Sequence, residues 1–459
     1  MALELLTNAM PAFGPVALLL NPTPEFGQKA EFIPVAPPKV SATAEAETDY
    51  LLGDWGGLRR RWSEHGFDFG VQYVAEVASN VSGGMKRGTV YNGLLIADVD
   101  FDFDKLVGWP GGFLHGAMLY PQGRSLTDHY VGDLFVLSNL DADDHVRLFE
   151  LWLEQSFADD TLSVRLGQMA VDQEFAYTER GALFGNSAFG WFPIAGLNVP
   201  SPVYPQGAPG VRLAWRPSKT GYVQAAVVDG NGLPPDSLGN PTNPHGIEFT
   251  FDEGALVLVE AGLSWGQLEQ STAAAGSLKL GGWYHTGTFD NVRYDDSGLS
   301  LANPLSTGIP QTLDGNWGVY LAAEQSIWRE ASDAASVQGA GIFARLGWAP
   351  PDQNILQFYA EGGVTYTGLL PGRDTDKCGI GVAYGQMSRE FRGLVSDENG
   401  YNAGSEPLPD YELVLECDYL CELGRGWSVQ PSVQYILHPG GSPATNDAFV
   451  LALRSTMNF

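Results

Sequence analysis

The recurrence of short alternating strands constrains this 459-residue chain more than any other feature, and residues 145–216 show it most clearly. Between His145 and Phe157, the residues Phe149, Leu151 and Leu153 alternate with Glu150, Trp152 and Glu154. After the turn residues Ala158, Asp159 and Asp160, Leu162, Val164 and Leu166 alternate with Ser163, Arg165 and Gly167. A third strand, Gly210 to Arg216, follows a long irregular segment. Strand side chains point to opposite faces with a period of two, so each segment has one apolar face and one face of carboxylates, guanidinium groups and an indole. A soluble sandwich alternates in the same way, with its apolar face turned to a core. Here, however, similar hairpins recur along almost the whole chain, and few helical stretches are available to cover their apolar faces. A closed barrel in lipid resolves this by placing apolar side chains outside and polar ones around a wet lumen.

Composition supports one large sheet. Hydrophobic content of 44% is ordinary, whereas 57 glycines and 12% aromatics suit many turns and interfacial rings. The longest apolar runs, such as Pro15 to Leu20 and Ala255 to Val259, fall far short of the roughly 18 to 20 residues that a membrane helix needs. A net charge of −29 and a pI near 4.4 exclude a general attraction to nucleic acid, which requires clustered Lys and Arg. The acidic balance either favours cations near a pore or keeps loops solvated. Three cysteines, Cys378, Cys417 and Cys421, do not make a disulfide scaffold. A cross-strand bridge between Cys378 and Cys421 stays open beside the default of free thiols.

Strands are expected to begin near 66, 91, 112, 145, 161, 208, 220, 254, 276, 315, 337, 354, 376, 410, 426 and 447. That is about 16, an even number as single-chain bacterial barrels require. Connections after even-numbered strands, such as 158–160, 217–219 and 422–426, are mostly short. Those on the other side include 121–144, 171–207, 230–253, 288–314 and 388–409. The asymmetry matches short periplasmic turns and long external loops. The last strand alternates Phe449, Leu451, Leu453, Met457 and Phe459 with Arg454, Thr456 and Asn458, ending on an aromatic residue. Trp215, Trp265, Trp348 and Trp427 stand at strand ends on the lipid parity, as an aromatic girdle would place them.

Residues 1–48 differ from the rest. Pro, Ala and Glu dominate, as in Phe32 to Lys39 and Ala42 to Thr48, which predicts an extended, flexible arm and offers a docking segment for a periplasmic partner. Glu4 is the only early charge and Pro11 and Pro15 interrupt the apolar part, so the start does not read as a secretory signal. Either a signal has been removed or the start lies elsewhere.

A family resemblance follows from the next residues. Gly53-Asp-Trp-Gly-Gly57 precedes a short basic helix, and Gly66-Phe-Asp-Phe runs into a strand. Further on come Gly108-Trp-Pro-Gly-Gly112, Glu150-Leu-Trp-Leu-Glu-Gln155, Arg165-Leu-Gly-Gln168 with Asp172, Glu174 and Phe175, then Phe189-Gly-Trp191 and Pro209-Gly-Val-Arg212. Together these motifs resemble the carbohydrate-selective outer-membrane porins of the OprB type, closely over residues 50 to 230 and by strand pattern beyond. The resemblance implies a monomeric barrel in the outer membrane of a Gram-negative bacterium, passive diffusion of sugars such as glucose, and a constricted eyelet.

A porin makes and breaks no bonds, so its site is the lining of its path. Parity places Glu76, Asp100, Glu150, Trp152, Glu154, Arg165, Arg212, Trp283, Arg345 and Glu361 inside the barrel. The long loop 171–207 is expected to fold inward, its aromatics Phe175, Tyr177, Phe184, Phe189, Trp191 and Phe192 against the wall and Asp172, Glu174, Glu179 and Arg180 towards the path. The alternative is an external cap. Carboxylates and guanidinium groups bond sugar hydroxyls and indoles stack on sugar C–H faces, so Trp152 between Glu150 and Glu154, near Arg165 and Arg212, supplies both. Equally, opposed charges inside a barrel can simply brace its wall. A general or cation-preferring pore and a scaffolding barrel are the other readings.

Signals for other chemistry are weak. Gly262-Leu-Ser-Trp-Gly266 matches a nucleophile elbow, but that motif needs a strand turning into a helix. Seven histidines with no i, i+4 pair and no Cys neighbour give no metal site, and no cofactor is expected. Asp141 to Asp144 and Asp229 to Gly232 lack the EF-hand pattern and read as solvated turns.

Overall fold

The computed structural model describes residues 50–231, 243–266, 274–330 and 338–459. The Pro- and Ala-rich segment 1–48 lies outside them. Among the described residues, sixteen antiparallel strands pair in chain order and β1 closes the ring on β16. They are β1 (Phe67–Ser82), β2 (Gly88–Asp102), β3 (Gly112–Gly123), β4 (Arg147–Phe157), β5 (Leu162–Met169), β6 (Ala208–Ser218), β7 (Gly221–Asp229) and β8 (Ala255–Trp265). The second half comprises β9 (Gly276–Asp295), β10 (Pro310–Arg329), β11 (Gly339–Trp348), β12 (Leu356–Thr367), β13 (Lys377–Met387), β14 (Tyr411–Gly424), β15 (Trp427–Leu437) and β16 (Ala448–Asn458). Closure leaves no unpaired edge, which a sheet in lipid cannot tolerate.

Side-chain parity sorts the wall as lipid demands. Leu151 and Leu166 are 47% and 60% exposed on the outer surface, while their neighbours Trp152 and Arg165 are buried inside. Trp215, Trp265, Trp348 and Trp427 all lie exposed on the outer face. Phe149 departs from the expected parity. A β-bulge shifts the β3–β4 register, with Ala117 opposite Glu150 but Met118 opposite Leu148, so Phe149 and Glu150 both turn inward. Phe149, 1% exposed, then packs edge-on against Tyr204 of the long loop, 6.3 Å between ring centroids.

Two of the expected loops contain regular structure. Strands β9 and β10 run for 20 residues each, so much of the segment 288–314 is a paired ribbon, with Thr312 opposite Asp290 and Pro310 opposite Asp295. A tilted membrane strand needs only about 9 to 11 residues, so the ribbon projects beyond the bilayer. There no face meets lipid, and the period-two signal that marks the other strands is lost. Within 388–409 a helix covers Arg389–Asn402. The Ser388 hydroxyl accepts from the Phe391 amide to start it, and Arg293 at the end of β9 pairs with Asp397 at 2.9 Å and Glu390 at 3.3 Å to hold it.

On the turn side, helix α1 (Leu58–Glu64) precedes β1, and helix α2 (Phe103–Val107) follows β2. Helix α3 (Pro193–Gly196) lies in the long loop, which makes the helix over Arg389–Asn402 α4. The three cysteines are free thiols. Cys378 stands opposite Tyr419 rather than either cysteine of β14, and the Cys421 sulfur accepts from Arg373 at 2.9 Å.

Candidate functional site

The segment between β5 and β6 lies inside the barrel, and the wall's own composition explains why. Its aromatic residues meet inward-facing rings: Phe184 lies 5.7 Å from Phe343, and Phe192 lies 5.0 Å from Tyr320 and 5.5 Å from Trp283. Glycines on β11 and β13 make room for them. A Cβ added at Gly381 would come within 2.8 Å of the Phe189 ring, and one at Gly341 would overlap the Arg180 guanidinium. Leu256 and Leu258 of β8 also face inward and are fully buried, where an apolar run hid the parity from sequence reading.

Wall carboxylates hold the loop by its backbone. Glu150 accepts from the Ala170 amide at 2.9 Å, Glu260 from Ala176 at 2.8 Å, and Glu324 from Arg180 at 2.7 Å. Glu416 accepts from Gly185 at 2.9 Å and Asn186 at 3.1 Å. The loop's carbonyls are met by cations and carboxamides. Arg345 donates to Ala176, Ala188 and Gly190 at 2.6–2.9 Å, Lys279 to Tyr177 at 2.8 Å, and Gln430 to Leu183 at 2.7 Å. Charge-assisted bonds of this kind are roughly twice as strong as neutral ones, and they give each buried charge the partner that its desolvation demands. Segment 124–146 is held likewise, Glu412 accepting from the Leu134 and Phe135 amides at 2.7 Å each. Sequence reading did not select Glu260, although its position two residues past inward-facing Leu258 marks it.

The cluster around Trp152 is a closed set of charges. Glu154 bonds Arg165 at 2.9 Å and Arg212 at 2.6 Å. Glu174 from the loop bonds Arg212 at 2.8 Å and also pairs with Arg165, so two carboxylates and two guanidinium groups alternate. Arg212 further donates to the Ser163 hydroxyl at 2.6 Å. Trp152 is 3% exposed. Arg165 of β5 lies 3.5 Å over its ring, and His115 of β3, the strand on the other side, stacks on it at 4.9 Å. Neither face of the indole is open.

The remaining candidates are placed as follows. Asp172 and Glu174 lie buried against the wall rather than towards the path; an Asp172 carboxylate oxygen accepts from the Tyr204 amide at 3.3 Å. Arg345 pairs with Glu361 at 2.8 Å beneath the loop, and Trp283 is covered by Phe192. Asp100 is half-buried, and its carboxylate lies 2.7 Å from the His115 ring nitrogen, within hydrogen-bond distance. At the β1–β16 seam, Glu76 Oε2 accepts from Arg454 at 2.7 Å while Oε1 has no protein partner. This pair lines a small polar pocket with Gly185, Asp418, Gln430, Ser432, Gln434 and Ala452. No group of three or more potential metal ligands occurs among the described residues.

The acidic turn 141–144 is engaged within the protein, Asp143 pairing with Arg147 at 2.5 Å and Asp144 accepting from the Gly123 amide at 2.8 Å; in the turn after β7, Asp229 accepts from the Asn231 amide at 3.2 Å, and Gly232 lies outside the described residues. Asp141, in the same segment outside the strands, has its carboxyl pushed up to about 7. Burial is the main cause, eased by the Ser125 hydroxyl and reinforced by Asp128 and Glu76.

Comparison with known proteins places this architecture. Residues 86–459 match the model of the family described as carbohydrate-selective porin, OprB family. Porin B of Pseudomonas aeruginosa is 28% identical over 436 residues, covering 88% of this chain and 90% of that protein. The putative porin QuiX of Acinetobacter baylyi is 22% identical over 447 residues, covering 90% of this chain and 94% of that one. In fold, the high-pH structure of Pseudomonas putida OprB superposes with a TM-score of 0.82 at 23% identity, covering 91% of this chain and all of that one. With a closed barrel, an apolar outer wall and a polar interior matching over nearly its full length, the chain belongs to the OprB family of carbohydrate-selective porins, a Gram-negative outer-membrane channel through which sugars diffuse.

Proposed function

We propose that glucose and similar small sugars are the solutes, that segment 171–207 sets the width of the path, and that the barrel works as a monomer. The observation that carries this reading is the use made of the interior charges. Most buried carboxylates and cations named above are bonded to the loop or to each other, so the wall offers few free charges to a passing ion. A neutral, hydroxyl-rich solute needs hydrogen-bonding groups rather than a counter-ion, and the half-buried carboxylates of β1 and β2 are the interior acids left open to it. In this reading the Glu154, Arg165, Glu174 and Arg212 set, with covered Trp152, Trp283 and the Arg345–Glu361 pair, braces the loop, Glu76 braces the seam through Arg454, and half-buried Asp100 is left to meet the solute. Glu150 and Asp172 serve as backbone anchors.

Single-channel conductance in a planar bilayer tests the proposal. Glucose is expected to block the current saturably, and a non-sugar polyol of similar size is not. Ohmic current indifferent to glucose and sucrose alike overturns it. A cation preference, measured as a reversal potential in a salt gradient, belongs to the second reading, which draws on the net charge of −29 and the half-buried Asp68, Asp98 and Asp100.

A further inference from the structure

The outer surface at the turn end of β1 carries a feature that sugar passage does not use. In a chain of net charge −29, Arg59-Arg60-Arg61 is the longest run of consecutive basic residues, and it lies on helix α1. Arg59 is structural. It is buried, stacks 3.7 Å over Tyr50, and donates to the Phe69 carbonyl at 2.8 Å and the Phe459 carbonyl at 2.6 Å, tying the helix to both strands of the seam. Arg60 and Arg61 are exposed and form no ion pair among the described residues. The nearest carboxylate before them, Asp54, is buried and accepts from the Arg60 amide at 2.9 Å, and Glu64 is the helix's own acid.

What lies beneath the two arginines points to their partner. Phe67 and Phe69 share the outward parity of Val77 on β1 and therefore belong to the lipid-facing wall. Trp62 of helix α1 packs edge-on against both, each at 5.6 Å, and Trp55 lies 5.1 Å from Phe69. Helix α2 continues the surface: Lys105 donates to the Ser63 carbonyl at 3.3 Å, and its neighbour Trp109 is exposed. Helix α1 therefore rests on the outside of the barrel at the level of an aromatic girdle, where indole rings sit among lipid headgroups. Amphipathic elements with basic residues above and aromatics below lie in the plane of that interface.

We propose that helix α1, through Arg60 and Arg61 above Trp55 and Trp62, binds the headgroup of an anionic phospholipid in the periplasmic leaflet. The guanidinium groups match a phosphate in charge and geometry, and the indoles meet the glycerol and upper acyl region. The site is continuous with the lipid-facing wall, so the acyl chains have a surface to lie on.

Native mass spectrometry of the full chain, equilibrated with equal amounts of phosphatidylglycerol and phosphatidylcholine in mixed micelles, tests the assignment. The wild type is expected to retain phosphatidylglycerol preferentially, and the double variant Arg60→Gln, Arg61→Gln to lose that preference by about fivefold per arginine. Phosphatidylcholine retention and glucose conductance are expected to stay unchanged. Should the double variant not reach the heat-resistant barrel form, Arg61→Gln alone carries the same readout. Equal retention of the two lipids by the wild type, or an undiminished preference in the variants, overturns the proposal. So does a preference that emerges only when residues 1–49 are removed, which would give the surface to the chain's own N-terminal segment.

Discussion

The interior wall has two sectors that use acidic residues differently. From β8 round to β14, Glu260, Glu324 and Glu416 are anchors, their carboxylates taken up by amides of segment 171–207. At β1 and β2, by contrast, Asp68, Asp98 and Asp100 are only half-buried. The same residue type on the same face of the same sheet is scaffold in one sector and accessible lining in the other. The presence of a loop backbone opposite decides between them, and that is a property of tertiary structure rather than of the strand. Net charge alone is therefore a poor guide to the selectivity of such a channel.

Removing a brace between wall and loop should have the largest effect. Arg212→Ala leaves Glu154 and Glu174 sharing Arg165 alone, and breaking a buried charge set is expected to cost about 3–5 kcal/mol. A urea titration of the detergent-solubilised barrel measures it, and a loss under about 1 kcal/mol would mean that water replaces the guanidinium with little penalty. Filling the groove should come next. Gly381→Leu drives a side chain into the Phe189 ring, with an expected overpacking cost of about 1–3 kcal/mol. The displaced loop should become cleavable by protease and the open-channel conductance should rise; unchanged conductance would detach the loop from the width of the path.

The smallest effect sharpens the other sector. Asp141 lies under loop cover, and burial first, then Asp128 and Glu76, raises its carboxyl to about 7 from an unfolded value near about 4. A raised carboxyl favours the protonated folded state, so its contribution is fully present below the unfolded value and is lost as pH rises through about 7. The melting temperature should fall between pH 5 and pH 8, and Asp141→Asn should flatten that slope. An equal slope in the variant would assign the effect to other groups, such as fully buried Asp133, whose carboxyl is also raised by burial and by Glu412.

Much of the fold was legible because lipid imposes a severe rule on side-chain direction. Strands expected to start at 112, 208 and 276 do so, and the expected starts at 66, 161 and 426 fall one residue early. The rule weakened wherever the wall leaves lipid or meets protein. The β9–β10 ribbon beyond the bilayer shows no alternation, and the inward leucines of β8 looked like a uniform apolar run because a loop covers them. Phe149 turned inward through a bulge that alternation cannot reveal. For the lumen, parity identified the inward residues but not their partners. The faces of Trp152 are covered by His115 and Arg165, and that follows only from the registers of β3 and β5 against β4.

The spacing of the loop anchors along the chain carries a consequence for biogenesis. The Gly185 amide and the Glu416 carboxylate that receives it are 231 residues apart, and Gln430 of β15, which bonds Leu183, lies further still. The loop belongs to the first half of the polypeptide, but its resting place is assembled from the last strands. Its start is held early by β4 to β8, but the stretch 183–186 cannot settle when its own hairpin forms and must wait until the sheet has come almost full circle. Docking of that stretch is then a terminal event in assembly, and the seated loop certifies that the ring behind it is complete.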